Sequence, residues 1–163
     1  MYPLEDDALA RAIGEGLVAR GAQLAVVETT AGGLISARLV SAPGASRWFE
    51  RGVVAYTRRA KLDVSADAEA VMATHGAVSP ELVSHLAERV RDLGGAAYGM
   101  AESGIAGPQD GRHSVKPVGT TVIAVACPDR TVVESHVFPG GRVEVMSAIA
   151  QRSLELLREL LEA

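Results

Sequence analysis

"AVVETTAGGLISARL", residues 25–39, passes from an apolar, β-branched run through two threonines and two glycines into a helical pattern. A short apolar run closed by turn residues reads as a buried strand, "QLAVVE", and residues 33–40 read as the helix it feeds. A strand that turns straight into a helix is the opening of a βα unit, so the chain is expected to be α/β. Upstream, Leu9, Ile13, Gly16 and Leu17 recur at helical spacing, which predicts an amphipathic helix over residues 4–20 closed by Gly21. Downstream, "SAPGAS" breaks the helix, "GVVAYT" has strand composition, and short helices follow. In "VSPELVSHLAERVRDLGG", Ser79 caps, Pro80 takes the first helical position, Leu82, Leu86, Val90 and Leu93 form one face, and Gly94 ends the helix. "AAYGMAES" reads as a strand entering a long glycine-containing loop, and "TTVIAVACP" and "TVVESHVFP" as antiparallel neighbours joined at "PDR". Met146, Ile149, Ser153, Leu156, Leu157 and Leu160 mark a closing helix. Early βα alternation followed by a late hairpin predicts a three-layer α/β/α fold with a mixed, mostly parallel sheet.

The 163 residues, 48% of them apolar, suit one core, so residues 1–163 are read as one domain. The net charge is −4 and no basic or aromatic-interleaved run appears, which argues against nucleic acid as a general partner. "MYPLEDDALA" is acidic where a signal peptide is basic, and no apolar stretch reaches the roughly 18 residues of a membrane span, so a cytoplasmic protein without membrane contact is expected. Cys127 is the sole cysteine, and no Cys/His grouping has metal spacing. His75, His85 and His136 read as ordinary surface or half-buried residues.

Three corners can carry chemistry, because ligands of open α/β sheets collect where strands end and helices begin. At the first, Gly32 and Gly33 bring backbone amides close to a ligand, and the helix start favours an anion; the plainer reading is a tight turn capped by Thr29 or Thr30. At the second, "GVVAYTRRAK", a strand carries Tyr56 and Lys61 follows it. Lys61 is either a surface lysine or a base whose pKa is lowered by burial or by Arg58 and Arg59. At the third, "ESGIAGPQDGRHSVKPVGT", Ser103, Gly104 and Gly107 offer hydroxyl and amide donors, and Arg112, His113 and Lys116 offer charge to an anion; the alternative is a surface loop.

Taken together the corners resemble the CinA C-terminal domain family, the nicotinamide-nucleotide amidohydrolases of pyridine nucleotide recycling. "VETTAGGLISARL" is similar to that family's "AESCTGGLLAARL", "RGVVAYTRRAK" to "GGVVAYSNEAK", "HGAVSPE" to "HGAVSEE", "ESGIAGPQDGRHSVKPVGT" to "VTGIAGPGGGTPEKPVGT", and "FPGGR" to "FPGDR". The resemblance implies hydrolysis of the carboxamide of nicotinamide mononucleotide to nicotinic acid mononucleotide and ammonia, without metal or organic cofactor. It also implies a homodimer, and a separate N-terminal domain in many relatives that this chain lacks. The family's serine nucleophile falls on Thr29, its lysine on Lys61, its tyrosine on Tyr56, and the threonine of "TGIAGP" on Ser103. Thr30, Gly32, Gly33, Gly104, Gly107, Lys116 and Arg142 complete the expected substrate contacts.

The departures from the family pattern fall at the site. Threonine keeps the hydroxyl but adds a β-methyl that restricts χ1. Thr30 and Ala31 stand for the family's cysteine and threonine, Gly141 for an aspartate, and Met146 for a frequent arginine. Two functions therefore compete: an amidohydrolase with Thr29 as nucleophile and Lys61 as base, and a catalytically silent nucleotide-binding or regulatory module.

Overall fold

The structure is a computed structural model that describes residues 7–108 and 114–163. Alternation along β1 (Leu24–Glu28) organises it: Leu24 and Val26 pack into one core, Ala25 and Val27 into another on the opposite face. A strand buried on both faces must lie inside a sheet, and β1 runs between β2 (Phe49–Val54) and β3 (Tyr98–Gly104), parallel to both. Strands β4 (Thr120–Ala126) and β5 (Thr131–Val137) add antiparallel pairings, giving the order β2-β1-β3-β4-β5. Only β4 is reversed, so strand direction is mostly parallel although the four pairings divide evenly.

Helices cover both faces. α1 (Ala8–Ala19), α2 (Leu34–Ser41) and α6 (Arg142–Glu162) enclose the first core around Ile13, Leu39, Ile149 and Trp48. α3 (Arg58–Val64), α4 (Ala68–His75) and α5 (Pro80–Gly94) enclose the second around Met72, Leu82 and Leu86. The expected three-layer α/β/α fold is thus observed. Among the described residues, no helix is long and apolar enough to cross a membrane.

Some boundaries differ from expectation for local reasons. α1 begins at Ala8, because the Asp7 carboxylate accepts the Leu9 and Ala10 amides at 3.1 Å and ends the helix there; residues 4–6 lie outside the described set. The second strand is shifted toward the N-terminus, which leaves Tyr56 in the β2–α3 connection. On α5, Leu93 is exposed, and Val83 and Ala87 complete the buried face.

From β1 the chain crosses through α2 to β2 on one side, then through α3, α4 and α5 to β3 on the other. One connection runs from β1 to β2 over one face and the next returns from β2 past β1 to β3 over the opposite face, so a crevice opens at the carboxyl ends of β1 and β3. Those ends carry Glu28 and Thr29, and Glu102 to Gly104.

Candidate active site

Thr29, Lys61 and Ser103 wall a cavity of about 250 Å³ together with Ala77 and Val78. An adjoining cavity of about 240 Å³ is walled by Ile105, Gly107, Pro108, Ser114 and Arg142. Thr30, Tyr56 and Gly104 line both, so the three corners meet in one cleft at the switch point.

Lys61 is the residue that sequence leaves most open. It occupies the middle of α3, which Thr57 starts by accepting the Ala60 amide, and it is only 5% exposed. Its ammonium donates to the carbonyls of Ala55 at 3.1 Å and Tyr56 at 3.2 Å, which turns Nζ back toward the strand end. Burial pulls its pKa below the ordinary lysine value, while the Glu102 charge opposes that shift. Arg58 and Arg59, expected to help lower it, do not: Arg58 is paired with Glu69 and Arg59 with Asp63, all at the exposed rim.

Thr29 is 3% exposed, and its hydroxyl donates to the Glu102 carbonyl at 2.9 Å. The Thr30 hydroxyl accepts the Gly104 amide at 2.7 Å and donates to the Gly104 carbonyl at 3.0 Å, stitching β1 to β3. The Gly104 amide therefore serves the scaffold instead of an incoming ligand. Ser103 donates its hydroxyl to the Ala77 carbonyl at 2.7 Å, and Lys116 donates to the Val78 carbonyl; both hold down the segment before α5. Arg142 stands exposed at the cleft mouth with Nη1 3.5 Å from the Tyr56 hydroxyl, which is itself exposed. Gly107 contributes to the outer wall with φ +68°, and Arg112 and His113 lie outside the described residues.

The expected anion cradle at the start of α2 is already filled. Gly33 is the cap, with φ +103°, a conformation that favours glycine. Its amide donates to Glu28 Oε2 at 2.9 Å; the Ile35 amide does likewise at 3.0 Å, and the Ser36 amide and hydroxyl donate to Oε1 at 2.8 and 2.6 Å. The chain's own buried carboxylate answers the helix dipole, so Gly33 is a structural position. Gly32 beside it, φ +67°, lies close to the Met146 side chain.

A second buried carboxylate, Glu102, lies next to the first. Its Oε1 accepts the Thr29 amide at 2.6 Å and the Ala31 amide at 2.9 Å, while Oε2 is buried without a hydrogen-bond partner among the described residues. Burial pushes its pKa up to about 7, the backbone amides hold it down, and the Glu28 charge adds to the rise. Sequence reasoning does not single out either glutamate. The available signal is positional: Glu28 ends the apolar run of β1 and Glu102 follows the apolar run of β3, and an acid there is buried, where it needs partners. Among the described residues no group of His, Cys, Asp and Glu is placed to hold a metal ion. His85 accompanies Ser65 at 2.8 Å, and His136 pairs with Glu134, both away from the cleft.

A family model described as the CinA C-terminal domain matches residues 6–161. A CinA-like protein of Frankia casuarinae is 40% identical over 161 residues, covering 99% of this chain and 37% of that protein. A CinA-like protein of Desulfotalea psychrophila is 37% identical, covering 99% and 39%. The chain thus spans less than two fifths of the length of these curated relatives. Among solved structures, the competence/damage-inducible protein CihA from Agrobacterium tumefaciens superposes with a TM-score of 0.88 at 31% identity, covering 96% of this chain and 94% of that one.

Proposed function

The chain belongs to the CinA C-terminal domain family, and on that premise we propose that it hydrolyses the carboxamide of nicotinamide mononucleotide or a closely related amide. One observation carries the reading: a lysine buried to 5% exposure, with its pKa lowered, shares a cavity wall with the hydroxyl-bearing Thr29. A purely structural lysine has little reason to be buried without a carboxylate in hydrogen-bonding contact. Neutral Lys61 takes the Thr29 proton, and the oxygen attacks the amide carbon. The tetrahedral intermediate expels ammonia, which leaves with the proton returned by Lys61, and water then cleaves the ester to release the acid. Arg142 at the mouth, with the Gly107 wall, is the place for the substrate phosphate. The reaction as written draws on side chains alone, and a homodimer in the cytoplasm is the accompanying expectation.

The silent-module reading has its own support. Thr29 donates its hydroxyl to the Glu102 carbonyl, and the β-methyl limits the rotamers from which it could turn to Lys61. Thr29→Ser is therefore expected to raise ammonia release from the mononucleotide about tenfold, a barrier change of about 1.4 kcal/mol, by freeing χ1. If neither wild type nor Thr29→Ser releases ammonia above background while both bind the mononucleotide, the module reading replaces the hydrolase.

The phosphate has a separate test. Arg142→Ala is expected to weaken calorimetric affinity for the mononucleotide about tenfold while leaving the dephosphorylated riboside unchanged, since a charge-assisted bond at a solvated mouth is worth about 1.5 kcal/mol. Equal losses for both ligands would remove Arg142 from phosphate recognition.

A further inference from the structure

At the end of the sheet away from the cleft, β1 begins beside Trp48, whose carbonyl accepts the Leu24 amide at 2.8 Å. A cavity of about 200 Å³ opens there between α1 and the connection from α2 to β2. It lies a strand's length, roughly 16 Å, from the Thr29 end of β1, and the proposed chemistry does not use it. One glycine makes room for it. Gly14 sits in the middle of α1, where glycine is about 1 kcal/mol less favourable than alanine. A Cβ at this position would stand 2.7 Å from Trp48 Nε1 and Cε2, so only glycine lets the N–H edge of the indole lie against the helix.

Trp48 is 2% exposed, and its indole N–H has no hydrogen-bond partner among the described residues. A buried indole N–H ordinarily finds an acceptor, and leaving one unmet costs about 1–3 kcal/mol. Gly14 and Trp48 both border the cavity, so the acceptor has to come from what fills it. The rest of the wall sets the chemistry of that occupant. Val18, Ala42 and Pro43, with the indole, make it mainly apolar. Arg11 and Glu15 stand one turn apart on α1 and offset each other's charge, which leaves Arg47. Arg47 is exposed at the rim, and its guanidinium has no ion pair or hydrogen bond among the described residues. An engineered apolar cavity of about 150 Å³ holds benzene, so the slightly larger space here suits one ring with one small substituent.

We propose that this cavity is a second binding site, which takes a small one-ring carboxylate. Its oxygens answer the Trp48 N–H and Arg47, and its ring lies against Val18, Ala42 and Pro43. Water alone meets the N–H but gains nothing from the apolar wall, whereas a ring buried there is driven out of solvent. The site stands apart from the hydrolase reading, and its test needs no turnover.

Trp48 is the only tryptophan in the chain, so ¹⁵N-labelled protein shows a single indole N–H signal. Benzoate is the probe, and benzyl alcohol, which keeps the ring and an acceptor oxygen without the charge, is the comparison. Benzoate is expected to move the indole signal saturably, with a dissociation constant on the order of 1 mM. The alcohol should bind about fivefold more weakly, the worth of an exposed ion pair. Arg47→Gln, a change at an exposed position, brings benzoate down to the affinity of the alcohol. Val18→Phe narrows the cavity from a residue 41% exposed and should abolish the shift. An indole signal that benzoate leaves in place, or moves without saturating, overturns the site. Equal benzoate affinity in Arg47→Gln and wild type overturns its preference for a carboxylate, and undiminished binding in Val18→Phe places benzoate outside this cavity and overturns the assignment.

Discussion

Lys61→Met is expected to lower ammonia release from nicotinamide mononucleotide by about a thousandfold or more, to background, in wild type and in Thr29→Ser alike. A positioned general base is typically worth two to four powers of ten, and this base also returns the proton to the leaving ammonia, so both halves of acylation fail together. Methionine keeps much of the length and fills the same buried space. The groups left behind are the carbonyls of Ala55 and Tyr56, which lose one donor each, and a desolvated ammonium is removed in exchange. Stability should therefore stay within about 2 kcal/mol of wild type. Binding of the mononucleotide should survive, because Arg142 and the outer wall are untouched. Single-turnover assays with calorimetric binding check both halves, and a Lys61→Met protein that is as active as its parent sinks the assignment of the base.

The fold was legible where physical rules are local. β1 announces itself as an unbroken apolar run, and the structure buries all five of its residues. α5 is framed by Ser79, whose hydroxyl accepts the Leu82 amide, and by Gly95 with φ +60°. The limits appear where a neighbour decides. β2 is an edge strand with Arg51 and Gly52 exposed, so its span follows pairing with β1 rather than its own composition. At the site, the three corners can be read as candidates, but their convergence needs the crossovers around β1. What sequence misjudged was the ownership of donors. Gly33 and Gly104 look like open amides until tertiary structure brings the Glu28 carboxylate and the Thr30 hydroxyl onto them. For the cause of Lys61's lowered pKa, sequence leaves burial and the neighbouring arginines both open. Arg58 and Arg59 are adjacent in sequence, yet the effect comes from burial, which sequence adjacency does not reveal.

Glu28→Ala is expected to cost about 3–5 kcal/mol of stability, the largest loss among single substitutions in the site. Glu28 is fully buried and accepts three backbone amides and one hydroxyl from the first turn of α2. Alanine leaves those amides facing a cavity, and a buried donor without an acceptor costs about 1–3 kcal/mol, part of which water entering the cavity can recover. Against the roughly 5–15 kcal/mol that holds a domain together, such a loss brings unfolding within reach of modest heating. The midpoint of urea unfolding should fall accordingly with an unchanged slope. Glu28→Gln, which keeps one acceptor oxygen and turns the other into a donor, should lose less, about 1–3 kcal/mol. Glu28 and Lys61 then separate by what they do: removing the glutamate loosens the α2 start and the adjoining Thr29 together, so stability and turnover fall in parallel. Lys61→Met removes turnover alone. If Glu28→Ala unfolds within about 1 kcal/mol of wild type, the carboxylate is not what holds the turn, and the anion cradle at α2 is again open to a ligand.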